Sequence, residues 1–170
     1  MMSVLKVLIF PDQRLRTVAL PVKRMDKKIN KLVTDLQETM YEGNGIGLSA
    51  TQVNVHKRVI VVDVSLEKDS PRAFINPQIK TIKPVEKLIN EEGCLSVPGF
   101  FEEVERPSKI SVTALDLEGK EISLIAEGLL SVAIQHEMDH LEGKIFLDYI
   151  SNLKRQIIRK KLMKSFKEIA

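Results

Sequence analysis

Two of the chain's three histidines, His136 and His140, stand four residues apart in "QHEMDHLEG", with Glu137 directly after the first. On a helix, residues four apart share a face, with Cβ atoms about 5–6 Å apart, so both imidazoles can reach one cation at about 2.0–2.1 Å. Glu137 is rotated off that line. It lies beside the ion, where a carboxylate can take a proton from a water that the ion polarises. This is the pattern of a hydrolytic metal centre, and two ligands do not complete one.

One protease pattern places a third histidine six residues after the second, but position 146 is Phe146. The downstream glutamates are Glu142 and Glu168, the latter near the end of a basic tail. His56 lies in "NVHKR", a polar turn ahead of a strand. Cys94, the sole cysteine, lies in "NEEGCLSVPGF", where Gly93 permits a tight backbone and Pro98-Gly99 predicts a turn. It has no disulfide partner in the chain, and a lone cysteine is commonly just a small buried apolar residue. A thiolate with two imidazoles would leave a fourth coordination position open, as a catalytic site requires. Residue types alone leave Cys94 and His56 both open.

Several elements must position these groups. "MDKKINKLVTDLQETMYEG" has helical spacing at Ile29, Leu32, Val33, Leu36 and Met40, with Asp26 as N-cap and Gly43 as C-terminal cap. "NGIGLSATQ" follows as a loop. "RVIVVDV" (58–64) predicts a buried strand, and "AFINPQIKTI" (73–82) another, broken by Pro77. Residues 109–125 alternate, turn at Glu118-Gly119 and alternate again, which predicts a β-hairpin. "EGLLSVAIQHEMDHLEG" returns to helical spacing, with Leu130, Ala133, Ile134, Met138 and Leu141 on one side and Gly143 closing it. From Ser151 a last helix carries Leu153, Ile157, Ile158, Leu162 and Phe166 as its apolar stripe. Strands cluster between helices, so the expected class is α+β, with mostly antiparallel or mixed sheets around the His-Glu-x-x-His helix.

At 170 residues the chain suits one domain. The expected division is a catalytic region, 1–150, and a basic terminal helix, 151–170, within that single domain. The tail holds Lys154, Arg155, Arg159, Lys160, Lys161, Lys164 and Lys167 against Glu168 alone, or +6. With the whole chain at +3, the remainder carries −3. Such asymmetry is the usual mark of a polyanion-binding tail, although a solvated basic helix face has the same composition. No apolar run approaches bilayer length, and the N-terminal apolar patch has no small-residue cleavage site. The expectation is a cytoplasmic protein with no membrane partner.

Three stretches together resemble the peptide deformylases, closely those of bacteria. The first is "GIGLSATQ", Gly45 to Gln52, where the family has Gly-x-Gly-Leu-Ala-Ala-x-Gln, so Ser49 replaces the first alanine. The second is "EGCLS", Glu92 to Ser96, and the third "QHEMDHLEG", Gln135 to Gly143, both unaltered. The order, the spacing and the basic terminal helix agree across essentially the whole chain.

The resemblance implies a hydrolase that removes the formyl group from N-terminal formyl-methionine of newly made polypeptides, releasing formate. It implies that Cys94, His136 and His140 hold one divalent metal. Fe²⁺ is the expected native ion, with Zn²⁺, Ni²⁺ or Co²⁺ able to take its place. It implies Glu137 as general base and acid, and the Gln52 side-chain amide with the Leu95 N–H as oxyanion hole. Gly47 would offer backbone to an extended peptide. Ile46, Leu129 and Val132 are candidates for the walls of the methionine pocket. The partners implied are formylmethionyl nascent peptides and, through the terminal helix, the ribosome, with no DNA partner. Two other functions fit parts of the pattern: a zinc metalloprotease with no role for Cys94 or Gln52, and a non-catalytic polyanion-binding module using the tail.

Overall fold

The computed structural model describes residues 3–169. Met1, Met2 and Ala170, at the ends of the expected regions 1–150 and 151–170, lie outside them. Helix α1 (Lys27–Glu42) starts where the Asp26 carboxylate accepts the Ile29 N–H at 3.0 Å. It buries Ile29, Val33, Leu36 and Met40, the three- and four-residue repeat visible in the sequence. It ends at Gly43, but Gly43 has φ −82° and the left-handed residue is Asn44, φ 55°. The glycine answers a packing need instead: a Cβ on it would lie 2.7 Å from Leu95 Cδ2.

Five strands form one antiparallel sheet in the order β1 (Gly47–Ser49), β2 (Val59–Val62), β3 (Arg72–Thr81), β6 (Lys109–Leu115), β7 (Glu121–Glu127). All four residues of β2 are fully buried because both faces are covered. Val59 and Val61 pack with α1, and Ile60 and Val62 with the opposite core, as alternation along a strand dictates. Strand β3 crosses Pro77 through a register shift between Ile75 and Gln78, with Asn76 at φ 51°. The β6–β7 hairpin turns at Gly119, φ 79°. Helix α2 (Gly128–Leu141) lies on the face opposite α1. Its Ala133, Ile134, Met138 and Leu141 meet Ile60, Phe74 and Val112. The central helix and the α+β class are as the sequence predicts.

Two expectations need correction. Residues 87–107, for which the sequence predicts only a turn at Pro98-Gly99, form a two-stranded antiparallel sheet, β4 (Lys87–Cys94) with β5 (Val97–Pro107). The turn falls at Leu95-Ser96, and Pro98-Gly99 lies inside β5. One side of this ribbon faces solvent and the other buries charged groups, so neither strand alternates apolar with polar. The terminal helix α3 (Asn152–Ile169) is present, but its stripe is narrower than predicted. Only Ile158 and Leu162, one turn apart, are buried, in a cluster with Val97, Val104 and Phe146. Leu153 is 73% exposed, and Ile157 and Phe166 are 45% and 46% exposed. The helix meets the body along a single ridge, which leaves the flanking apolar residues in solvent.

Candidate metal centre and catalytic cleft

Cys94 ends β4 at the tip of the short hairpin, and α2 presents His136 and His140. Their ligating atoms all lie within 4.8 Å of one another, and Cys94 Sγ is 3.4 Å from His140 Nε2. Ligands held at about 2.0–2.3 Å around one tetrahedral ion sit roughly 3.5 Å apart, so the spacing fits a shared metal. The donor set of one soft thiolate and two imidazoles fits a late first-row divalent ion. His56 is not part of the group; its Nε2 faces Asn54 Oδ1 at 3.1 Å. Glu142 pairs with Arg58 at 2.7 Å.

Behind these three residues lies a buried charge network. His136 Nδ1 donates to Glu92 Oε1 at 2.8 Å, which leaves Nε2 free to ligate. Arg106 clasps the same carboxylate through Nε (2.6 Å) and a terminal nitrogen (2.9 Å). Its other terminal nitrogen donates to Asp139 Oδ2 at 2.9 Å, which also accepts the Tyr149 hydroxyl at 2.8 Å. Burial alone would raise the Glu92 pKa, but hydrogen bonds from Arg106 and His136 and the Arg106 charge outweigh it and hold the carboxylate ionised. Burial, the largest cause, pushes His140 well below the usual imidazole range.

Glu137, one residue from the first histidine, is buried, and its Oε2 has no hydrogen-bond partner. Burial raises its pKa to about 7, helped by the Glu92 and Asp139 charges against His136 and Arg106. A Cβ on Gly47 would lie 2.6 Å from Glu137 Oε1, so this glycine makes room for the carboxylate. Gln52 sits in the 3-10 turn Ala50–Val53 after β1. Its Nε2 points at Ser96 Oγ (3.1 Å) and Cys94 Sγ (3.4 Å).

These groups share a cleft of about 520 Å³. Ile46, Gly47, Leu129 and Val132 line it, together with Gln52, Cys94, Leu95, His136 and Glu137. His140 lies deeper, fully buried. Val132 is buried, whereas Ile46 and Leu129 are partly open to solvent. Strand β1 pairs only with β2 and so stands at the edge of the large sheet beside the cleft. An unpaired strand edge can accept an extended peptide as an added strand.

Residue spacing alone gave no sign of four groups now seen at the site. Glu92 stands two residues before Cys94 within "EGCLS" and was legible there as a carboxylate without a task. Arg106 and Tyr149 carried no local signal, because their partners are distant in sequence. Phe101 also lines the cleft, with its ring against Gly93.

The chain matches a family model described as Polypeptide deformylase over residues 4–156. It is 57% identical over 170 residues to a peptide deformylase of Teredinibacter turnerae, covering 99% of this chain and 100% of that one. It is 54% identical over 171 residues to that of Pseudomonas aeruginosa, covering 99% and 100%. Among solved structures, peptide deformylase from Ehrlichia chaffeensis aligns with a TM-score of 0.92 at 42% identity, covering 98% of each chain. The Ehrlichia chaffeensis protein in complex with actinonin gives 0.92 at 44% identity, covering 96% of this chain and 98% of that one.

Proposed function

The chain belongs to the polypeptide deformylase family, and from that premise we propose how its own residues carry out the family's reaction. The enzyme is a metal-dependent hydrolase that removes the N-formyl group from newly made polypeptides. The convergence of Cys94, His136, His140, Glu137 and Gln52 on one cleft is the observation that carries the assignment of roles.

Cys94, His136 and His140 hold the metal, and Fe²⁺ is the native ion, with Zn²⁺, Ni²⁺ or Co²⁺ able to occupy the same donors. When bound, such an ion supplies Lewis-acid chemistry, lowering the pKa of water so that a nucleophile exists at neutral pH. Glu137 takes the proton of the attacking water and passes it to the departing amine; its buried Oε2, without a hydrogen-bond partner, is free to carry it. As the carbonyl carbon becomes tetrahedral, the former formyl oxygen gains negative charge. Gln52 Nε2 and the Leu95 N–H donate to it. Each such preorganised donor is worth about 2.7–4 kcal/mol in comparable sites. The edge of β1 at Gly47 aligns the peptide backbone, and Ile46, Leu129 and Val132 enclose the methionine side chain.

The enzyme works in the cytoplasm, on chains leaving the ribosome. The catalytic region, 1–150, and the terminal helix, 151–170, form one domain, and α3 docks on the ribosome. Lys154, Arg155 and Lys164 have acidic neighbours in Glu102, Asp148 and Glu168. Arg159, Lys160, Lys161 and Lys167 have none among the described residues and are exposed. Phosphate-rich RNA is the natural counterpart of such a surface, with an affinity that falls steeply with salt. No helix among the described residues is long and apolar enough to cross a membrane.

Elemental analysis of anaerobically purified protein, with turnover on formyl-, acetyl- and free-methionyl peptides, tests the catalytic assignment. One metal per chain and activity confined to the formylated peptide are expected. Cleavage of internal peptide bonds would instead identify a metalloprotease. A chain ending near Ser151 should still deformylate short peptides and lose ribosome co-sedimentation at low salt. Unchanged sedimentation would reduce α3 to a solvated helix.

A further inference from the structure

Ser49 stands where the first motif departs from alanine, and its side chain is fully buried. Its hydroxyl donates to Gln52 Oε1 at 3.1 Å, and its own N–H donates to the same oxygen at 3.0 Å. A glutamine amide has four hydrogen-bonding capacities: two acceptor sites on oxygen and two hydrogens on nitrogen. Here Ser49 fills both oxygen sites. Ser96 Oγ takes one Nε2 hydrogen at 3.1 Å. The second hydrogen is donated to Cys94 Sγ at 3.4 Å, on the metal side of the cleft.

We propose that Ser49 is a positioning residue for Gln52: its hydroxyl completes the bonding of Oε1, so that the amide is locked with its second N–H held on the metal side of the cleft, where it turns from Cys94 Sγ to the reacting oxygen. The proposal rests on Gln52 as the oxyanion donor. The terminal torsion of glutamine is broad and roughly two-fold, so the rotamer itself does not decide which end faces the cleft. The Ser49 N–H excludes the flipped amide, which would set a donor against a donor. The hydroxyl adds what a backbone N–H alone cannot. It fills the remaining lone pair, narrows the libration of the amide plane, and polarises the group so that Nε2 becomes a stronger donor. The Ser49 hydroxyl gives its hydrogen bond to Gln52, so its effect on rate is expected to pass through that amide.

A double-mutant cycle with Ser49→Ala and Gln52→Leu tests this. Ser49→Ala should lower kcat about fivefold, the rate equivalent of one neutral hydrogen bond, with KM and bound metal unchanged. In the Gln52→Leu background the same substitution should change kcat no further. In the ¹⁵N-labelled, zinc-loaded protein, the Gln52 side-chain hydrogens should exchange with water faster in Ser49→Ala than in the parent. An equal loss of kcat in both backgrounds would show that Ser49 acts on the fold and overturn the proposal, as would unaltered kcat and exchange in Ser49→Ala. Near-normal turnover in Gln52→Leu alone would overturn the catalytic role of Gln52 instead, and the exchange rate would still decide whether Ser49 orients the amide.

Discussion

Replacing Gly47 by alanine puts a methyl group 2.6 Å from Glu137 Oε1, with Cγ at 3.0 Å and Cδ at 3.1 Å. The carboxylate must retreat by roughly 0.8 Å to reach an ordinary 3.4 Å contact. Neither side gives way easily, since β1 is paired residue by residue with β2 and Glu137 stands on a helix buried nearly all round. Misplacing a reacting group by about 1 Å costs about 10²-fold in rate, so kcat should fall by that order. Overpacking should also destabilise the fold by about 1–3 kcal/mol. The assay is deformylation of a formyl-methionyl peptide, normalised to bound metal and to folded protein by circular dichroism. Gly119→Ala is the control. It forces an alanine to φ 79° in the β6–β7 turn, away from the cleft, at about 1–2 kcal/mol and no cost in turnover per folded molecule. Equal turnover in the two variants, with metal bound in both, would refute the reasoning.

Cys94→Ala should lose metal and activity together, whereas Cys94→Asp should keep a metal but shift the preferred ion toward harder cations; inductively coupled plasma analysis reads both, and full occupancy in Cys94→Ala would remove the residue from the ligand set. Glu137→Ala should retain metal and lose about 10²–10⁴-fold in kcat, checked by single-turnover kinetics. Burial would raise the Asp148 pKa, but hydrogen bonds from Arg16 and the Ile145 N–H and the Arg16 charge outweigh it and lower the value. A lowered folded pKa gives stability that is present above the unfolded value of 3.8 and is lost as pH falls through the folded one. Asp148→Asn should therefore cost about 1 kcal/mol at pH 7, a discounted figure for a partly exposed pair, and the gap in Tm from the parent should close as pH falls below 3.8.

The helices were legible because their covered faces repeat at three and four residues: Ile29, Val33, Leu36 and Met40 in α1, and Ala133, Ile134, Met138 and Leu141 in α2. Strand β2 was legible as a short apolar run because both its faces are covered. The β4–β5 ribbon was not, since Glu92 and Arg106 are buried on the face where a strand pattern would have apolar residues. That mispatterning is the price of the charge network behind His136. The placing of His136 and His140 on one face of α2 follows from helical geometry alone. Cys94 could not be preferred to His56 by spacing, because the approach of the hairpin tip to α2 is a tertiary fact. The terminal stripe was overread because helical periodicity gives the direction of a face but not the width of the surface it meets.

Arg106 joins Glu92 on β4 to Asp139 on α2, so it bridges the two elements that bring Cys94 to the histidines. The approach of Cys94 to His136 and His140 is thus braced by charges on both elements. The cost is a dependence: without the guanidinium, two carboxylates would stand close together with their shared cation gone, one of them buried beneath the metal site. The hairpin would then be pushed from the helix by the groups that now hold it. The spacing of three potential metal donors thus rests on a residue that is none of them.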